Sequence, residues 1–594
     1  LSKVGSQTKE ASGFASAWLS PLDEKLQCGT ILTDLEISHS SDPVISGITD
    51  VVLRYHGETG NFRQGDIVAL YSYDITQTPD IRKSIVYRGT ITAITHSDIV
   101  VKLRTPQSNV HVFDLCKGRA WCLEHDFMES SYSGLYKGLY SFLCAPRERK
   151  DLILARRLPR LASDPDVKGN YGDFNTLQYR IKKAQELFLL IGPPGTGKTS
   201  FGMLDTVKEE LHEENSKVLI VSFTNRSVDE ICSKLHPSID YIRVGGSAFS
   251  SEQYADKDLS AVLSKCKKAT ELRDRFMSTR VVVGTTASVA AHLSLLSMCH
   301  FSLCVVDEAS LILEPHLLPL LSLCGTDGKP SISKFVMIGD HKQLPAVVQQ
   351  RTKESCVNEP MLREIGLTDC RNSLFERLLL KHRGNPDVCY MLTRQGRMHP
   401  DIALFPNVSF YGGKLEEVPL PHQLKDSSSP RVRFIDVLPA SDSLTDKVNA
   451  NEASVIVDEL LDIWKHNQAD FSPTETVGVI VPYRNQISAI RSALACRLHD
   501  AEHPLMHITI DTVERFQGSQ RRYVIYGFTV QKAYQLRFLT ETTFEEDGMI
   551  IDRKLNVAMT RAQEYLVMVG NSALLRRVPL YNKLLEFIGN TSRA

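Results

Sequence analysis

The run Gly192-Pro-Pro-Gly-Thr-Gly-Lys-Thr199 follows directly on an apolar stretch, Leu187-Phe-Leu-Leu-Ile191. A strand entering a glycine-rich turn that opens a helix is the arrangement that cradles nucleotide phosphates. Gly192, Pro193, Pro194, Gly195, Thr196 and Gly197 supply the turn, whose backbone N–H groups point at the phosphates. Ser200 and the helix-compatible residues up to Lys208 add the partial positive charge of a helix N-terminus. Lys198 is placed to reach the β- and γ-phosphates, and the Thr199 hydroxyl to ligate Mg²⁺. The pattern is short, and a glycine-rich turn without a ligand is the alternative it leaves open.

Three further sets of residues suit the same chemistry. Val305-Val-Asp-Glu-Ala309 ends an apolar strand, so that Asp307 can hold Mg²⁺ and Glu308 can orient and deprotonate an attacking water. Two adjacent acids in that place could equally cap the next helix. Phe335-Val-Met-Ile338 runs into Gly339-Asp-His-Lys-Gln-Leu-Pro345, on the ligand side of an α/β sheet. Gln343 is there to bond the γ-phosphate or the water. Gln395-Gly-Arg-Met-His-Pro400 and Leu555-Asn-Val-Ala-Met-Thr-Arg561 offer Arg397 and Arg561, which across a cleft would stabilise charge on a transferring phosphoryl group. Singly, each arginine reads as well as a surface or ion-pair residue.

The elements that must position these groups fall into an ordered pattern. At about 150 residues per domain, 594 residues predict three to four domains. Residues 1–115 read as a small barrel of short strands: Asp50–Tyr55, Asp66–Tyr71, Ser84–Tyr87, Thr90–Ile94 and Ile99–Leu103, with Gly60, Gly65, Gly89 and Ser97-Asp98 between them. Residues 116–160 read as a helical stalk, helical from Glu129, with Leu135, Leu139, Phe142 and Leu143 at helical offsets. Residues 161–390 alternate strand and helix, with Val218–Ser222, Val281–Gly284, Leu303–Val306 and Phe335–Ile338 suited to a buried parallel sheet. A polar helical insertion, Ser250 to Arg280, interrupts them. Residues 391–594 form a second alternating region, with strands at Val432–Ile435, Val477–Val481, Ile508–Ile510, Tyr523–Tyr526 and Leu566–Val569, and a loop at Asp426-Ser-Ser-Ser-Pro430. Two α/β layers of similar size predict two domains with a cleft between them.

Bulk properties narrow the class. A formal net charge of −1 is not that of a passive nucleic-acid binder, although a motor can grip through local charge and backbone N–H groups. The densest basic run, Arg147 to Arg160, suits a solvated helix face or a phosphate contact equally. The 13 cysteines form no C-x-x-C pair, which argues against a zinc ribbon or a disulfide framework and for a reducing compartment, cytoplasmic or nuclear. No apolar run reaches the roughly 18 residues of a membrane span. The chain begins at Leu1 without a signal peptide and reads as a fragment or a processed product.

Taken in order, these motifs resemble those of superfamily 1B helicases, the group of the nonsense-mediated-decay RNA helicase and of the nuclease-helicase that trims Okazaki flaps. The resemblance runs from Asn175-Thr-Leu-Gln178 through Ser222-Phe-Thr-Asn225, Gly284-Thr-Thr286, Val481-Pro-Tyr-Arg484 and Asp511–Gly518 to Asn571. Gln395–Pro400 and Leu555–Arg561 argue against small P-loop kinases and ring-forming ATPases, which share the first motifs. The resemblance implies two RecA-like domains in tandem, ATP and Mg²⁺ between them, single-stranded DNA or RNA across their tops, and 5′→3′ movement by a monomeric motor. It also implies that Gln178 reads the adenine edge, and that Thr224, Asn225, Thr285, Thr286, Tyr483, Arg484 and Thr512 lie near the strand. Some relatives carry a nuclease module ahead of the barrel. Two positions depart from the family: Gly396 replaces an aromatic that stacks on the base, and Gln520 replaces an acid directed at the ribose. Both changes fall at the base and sugar end, which predicts weakened base discrimination. A DNA helicase is the leading expectation. An RNA helicase that remodels RNA–protein complexes and a nucleotide-gated clamp are the alternatives.

Overall fold

The computed structural model describes residues 20–591 except 28, 41–46, 56–61, 63, 96, 115–117, 127–131, 246–251, 267, 326, 349, 351, 426–428, 441–445 and 501. Gly60, Glu129, Ser250 and the Asp426–Ser428 part of the predicted loop lie outside these residues. Two compact units divide the chain between Tyr136 and Lys137.

The first unit is a closed antiparallel barrel. Its strands are β1 (Ile31–Ser40), β2 (Ile48–Arg54), β3 (Ile67–Asp74), β4 (Tyr87–Ile94), β5 (Asp98–Gln107) and β6 (Arg119–His125), in the order β1-β2-β5-β4-β3-β6. Val51, Leu53, Val68, Leu70, Ile99 and Val101 alternate into its core, as a period of two requires. Three expectations are corrected. The barrel passes residue 115, because β6 pairs with both β1 and β3 and closes the ring. The run at 84–87 is no strand of its own: only its Tyr87 is extended, as the first residue of β4, and a 3-10 turn, Ile81–Lys83, that Asp80 caps stands ahead of it. β1 escaped notice because Asp34, with φ of 57°, and a register shift between Leu32 and Leu35 break its alternation.

Helices Tyr132–Cys144, within which the division falls, and Arg147–Ile153 occupy the expected helical stretch. The buried face differs from the expected one. Leu139 and Leu143 are exposed, whereas Phe142 packs on the core and Gly138 lies so close to Pro319 that an added Cβ would sit 2.3 Å from its ring. The basic run is structural: Arg149 donates to the Ile332 carbonyl at 2.5 Å, and Arg157 and Arg160 both hold the Glu186 carboxylate.

Seven parallel strands follow: β7 (Leu187–Ile191), β8 (Val218–Ser222), β9 (Ile242–Val244), β10 (Val281–Thr285), β11 (Phe301–Val306), β12 (Ile332–Gly339) and β13 (Cys389–Met391). Their order is β13-β7-β12-β11-β8-β10-β9. The central strands are buried on both faces, hence their continuous Val, Ile and Leu runs. The insertion forms a 3-10 turn, Glu252–Lys257, and helices Leu259–Lys265 and Ala269–Ser278. After a two-stranded pair, β14 (Arg394–Gln395) with β15 (Glu416–Glu417), comes a five-stranded parallel sheet. It holds β16 (Val432–Asp436), β17 (Val477–Ile480), β18 (Thr509–Asp511), β19 (Arg521–Gly527) and β22 (Ala562–Gly570), in the order β16-β22-β19-β17-β18. Between β19 and β22 stands a hairpin, β20 (Thr543–Glu546) and β21 (Met549–Asp552).

Candidate active site

β7 delivers the glycine-rich turn. The Gly192 N–H donates to the Gly339 carbonyl at 3.0 Å, which ties the turn to the end of β12. Gly195 and Gly197 have φ of 75° and 74°, a region that costs other residues roughly 1–2 kcal/mol. Space is closed there too: an added Cβ would lie 2.5 Å from Arg397 Cβ at Gly195 and 2.6 Å from the Phe201 ring at Gly197. The Thr196 hydroxyl donates to the Pro193 carbonyl at 2.8 Å and holds the turn open. The following helix begins as a π turn, Lys198–Met203, and becomes α-helical only at Leu204–Leu211, a departure from the expected helix that is common at functional sites.

The acid pair stands opposite. The Thr199 hydroxyl donates to Asp307 Oδ2 at 3.2 Å, and Lys198 Nζ lies 2.9 Å from Glu308 Oε1. Burial and the Glu308 charge push the Asp307 carboxyl up to about 7, against the pull of Lys198. Two carboxylates this deeply buried would each cost several kcal/mol without that ammonium. Glu308 sits at φ 52°, left-handed for a residue with a side chain, and heads the 3-10 turn Ala309–Leu311 without capping it. Strain without a capping bond favours chemistry over helix capping for this residue.

The second domain closes the cleft. Arg561 is fully buried; its Nη2 donates to Gln343 Oε1 at 3.1 Å and its Nε to the Val557 carbonyl at 3.0 Å. Burial and Arg397 lower its pKa, and Glu308 opposes them. Arg397 Nε donates to Gln520 Oε1 at 2.9 Å, and the Gly396 N–H donates to the Gly195 carbonyl at 2.9 Å, so this motif touches the phosphate turn itself. Gln178 is buried; its Oε1 accepts from the Thr206 hydroxyl at 3.2 Å, while its Nε2 is buried without a protein partner.

The remaining predicted residues sit where strands β8, β10, β17 and β18 give way to helices. Thr224 caps helix Asn225–Leu235 by accepting from the Ser227 N–H at 3.1 Å, and Thr285 caps Thr286–Ala291 by accepting from the Ser288 N–H at 3.1 Å. Tyr483 precedes helix Arg484–Leu498, and Thr512 precedes Val513–Phe516. Carboxyl ends of parallel strands are where open α/β sheets take their ligands. A cavity of about 1370 Å³ runs between the domains, lined among others by Thr224, Arg226, Glu308, Lys342 and Arg515.

Two family models, each described as an AAA domain, match residues 370–573 and residues 175–268 and 249–351. The DNA replication ATP-dependent helicase/nuclease DNA2 of Homo sapiens is 28% identical over 449 residues, covering 69% of this chain and 38% of its own. Its counterpart JHS1 of Arabidopsis thaliana is 28% identical over 436 residues, covering 70% of this chain and 29% of its own. This chain belongs to the superfamily 1 helicases. It spans about a third of the length of these curated relatives. Among solved structures, the arterivirus nonstructural protein 10 helicase aligns over 93% of this chain and 82% of its own, at 13% identity and a TM-score of 0.37.

The helicase fold also brings in residues that sequence reasoning missed. Asp340 Oδ2 accepts from Gln343 Nε2 at 2.8 Å and from the Tyr411 hydroxyl at 2.7 Å. Asn556 Nδ2 donates to the Tyr411 oxygen at 2.8 Å and to the Lys342 carbonyl at 2.7 Å. Asp340 and Asn556 lay inside motifs already singled out. Tyr411 carries no local signal. The Tyr483 ring stacks on Phe538 with centroids 5.0 Å apart, and Phe538 is likewise invisible in sequence.

Proposed function

We propose that this chain is an ATP-dependent motor that moves 5′→3′ along single-stranded DNA. The observation that carries this reading is the Arg561–Gln343 hydrogen bond, which sets a cation of one domain into the phosphate cleft of the other. The phosphate turn and Lys198 would hold the β- and γ-phosphates. Thr199 and Asp307 would hold Mg²⁺, and their oxygen atoms suit that hard cation, which prefers one or two protein ligands beside phosphates and water. When Lys198 turns to the phosphates, Glu308 is released to orient a water and take its proton. Arg561 and Arg397 would balance charge on the transferring group, and Gln343 would report its presence. Thr224, Asn225, Thr285, Thr286, Tyr483, Arg484 and Thr512 would grip the strand through phosphates, and cleft closure and opening would alternate that grip. One chain supplies both halves of the cleft, so a monomer suffices. The relatives' printed activity in DNA replication favours DNA over RNA, and the free cysteines suit a reducing compartment such as cytoplasm or nucleus. No helix of the described residues is long and apolar enough to cross a membrane.

Hydrolysis measured alone, with single-stranded DNA and with RNA of matched sequence tests the reading. Stimulation of several-fold by DNA is expected. Stimulation by RNA in place of DNA would make the motor an RNA helicase. Stimulation by DNA without strand displacement would leave a clamp, and no response to either would overturn the reading.

The base end makes a second prediction. Gly396 presents no ring; a Cβ there would lie 3.0 Å from Leu420. Gln520 is engaged by Arg397. GTP and CTP are therefore expected within about tenfold of ATP in kcat/KM, a gap of ~1.4 kcal/mol in transition-state binding. A preference for ATP of several hundredfold would refute this.

A further inference from the structure

The hairpin β20–β21 bridges the two domains at one place. Phe544, Met549 and Ile551 root it in the core of the second domain. Glu546, at the end of β20, reaches the loop after β12: its carboxylate lies 3.0 Å from His341 Nε2 and 2.7 Å from Lys342 Nζ. Burial would raise the Glu546 pKa, but the His341 bond and the Lys342 charge outweigh it and hold the group ionised. Arg383 joins from the first domain, 3.4 Å from Glu546, and pairs with Asp547 at the hairpin tip.

The same loop is held twice more by the segment that follows the hairpin. Arg553 Nε donates to the His341 carbonyl at 2.9 Å while the guanidinium pairs with Glu376 and lies over the Phe544 ring. Asn556 Nδ2 donates to the Lys342 carbonyl at 2.7 Å. β21 is coupled rigidly to that segment. Asp552 is buried, accepts from the Leu555 N–H at 3.1 Å and from the Tyr581 hydroxyl at 2.7 Å, and so caps helix Arg553–Met559. Two residues beyond that helix stands Arg561, whose guanidinium meets Gln343, the residue after Lys342. The contacts thus form a closed circuit: Glu546 to His341 and Lys342, along the chain to Gln343, across to Arg561, and back through the capped helix to β21.

We propose that Glu546 is a positioning residue that fixes the His341-Lys342-Gln343 loop of the first domain in the register where Gln343 meets Arg561 of the second. Its partners His341, Lys342 and Arg383 lie outside the phosphate turn and the acid pair. Its role rests on the proposed hydrolytic function, and errors of about 1 Å in such placements cost up to ~10²-fold in rate.

The test compares steady-state ATP hydrolysis, affinity for a non-hydrolysable ATP analogue and thermal melting in wild type, Glu546→Gln and Glu546→Asp, each with saturating single-stranded DNA. Glu546→Gln is expected to lose about tenfold in kcat, with KM and analogue affinity within about twofold, because the phosphate turn is untouched. Glu546→Asp keeps the charge and is expected to recover most of the loss. A kcat within twofold of wild type in Glu546→Gln, or a fall matched by lost analogue binding and melting temperature, would overturn the proposal while wild-type hydrolysis stood. A wild-type chain that hydrolyses no ATP would overturn the functional reading beneath it, and the proposal with it.

Discussion

Glu308→Gln is expected to bind ATP and single-stranded DNA normally and to hydrolyse ATP at least ~10²–10⁴-fold more slowly, the range for loss of a general base. The change keeps shape and hydrogen-bonding length but replaces the carboxylate with an amide too weakly basic to take the proton from water. It also removes the ion pair with Lys198, whose ammonium stands 2.9 Å from Glu308 Oε1. Lys198 then keeps Asp307 and Asp340 as acidic neighbours but loses its closest one, so nucleotide affinity should hold or rise. Loss of the Glu308 charge also relieves Asp307, whose pKa that charge helps to raise. Single-turnover hydrolysis beside equilibrium binding of labelled nucleotide separates the two effects. Ordinary turnover in the variant would remove Glu308 from the role of base.

Why such a residue could be found without coordinates, and others not, follows from the range of the forces involved. The phosphate turn is mostly local: Gly195 and Gly197 answer to φ values, Gly192 and Gly197 to close contacts with Lys198 and Phe201, and its strand is an unbroken apolar run; the close contact of Gly195 with Arg397 is the one distant in sequence. The same holds for Asp307 and Glu308 at the end of β11. The parallel strands in the middle of both sheets were legible because burial on two faces demands continuous Val, Ile and Leu. The edge strands β9 and β13, three residues each, carry too little pattern to stand out. β6 lies in the stretch between the expected barrel and the helical residues from Glu129, and only its pairing with β1 and β3 identifies it. Leu139 and Leu143 show the limit of periodicity. They sit at helical spacing, yet the face that packs is set by Gly138 against Pro319, some 180 residues away. Tyr411 and Glu546 belong to the same class. Each is an ordinary residue until the fold sets it against Asp340 or against His341 and Lys342. The basic run Arg147–Arg160 is the converse case, where charge density suited a solvated face or a phosphate contact equally and Glu186 proved to be the partner of Arg157 and Arg160.

Arg561→Ala is expected to leave ATP and DNA binding within a few-fold and to slow hydrolysis by ~10³–10⁵, the range for an arginine that stabilises the transferring phosphoryl group. The argument starts from its cost. Burying a guanidinium this deeply is unfavourable, and burial together with Arg397 lowers its pKa. The fold meets that cost with bonds to Val557, Ser519, Thr560 and Gln343, only the last of which belongs to the first domain. Three of the four therefore aim the side chain, and the fourth places its tip in the phosphate cleft. A purely structural arginine would lose stability on truncation, and its effect on rate would follow the fraction folded. Here melting temperature and rate should part company. Arg561→Lys discriminates further: it keeps the charge but cannot span Val557, Thr560 and Gln343 at once, so most of the rate loss should remain. Full activity in the lysine variant would mean that charge alone suffices, and that the bond to Gln343 is incidental to the chemistry.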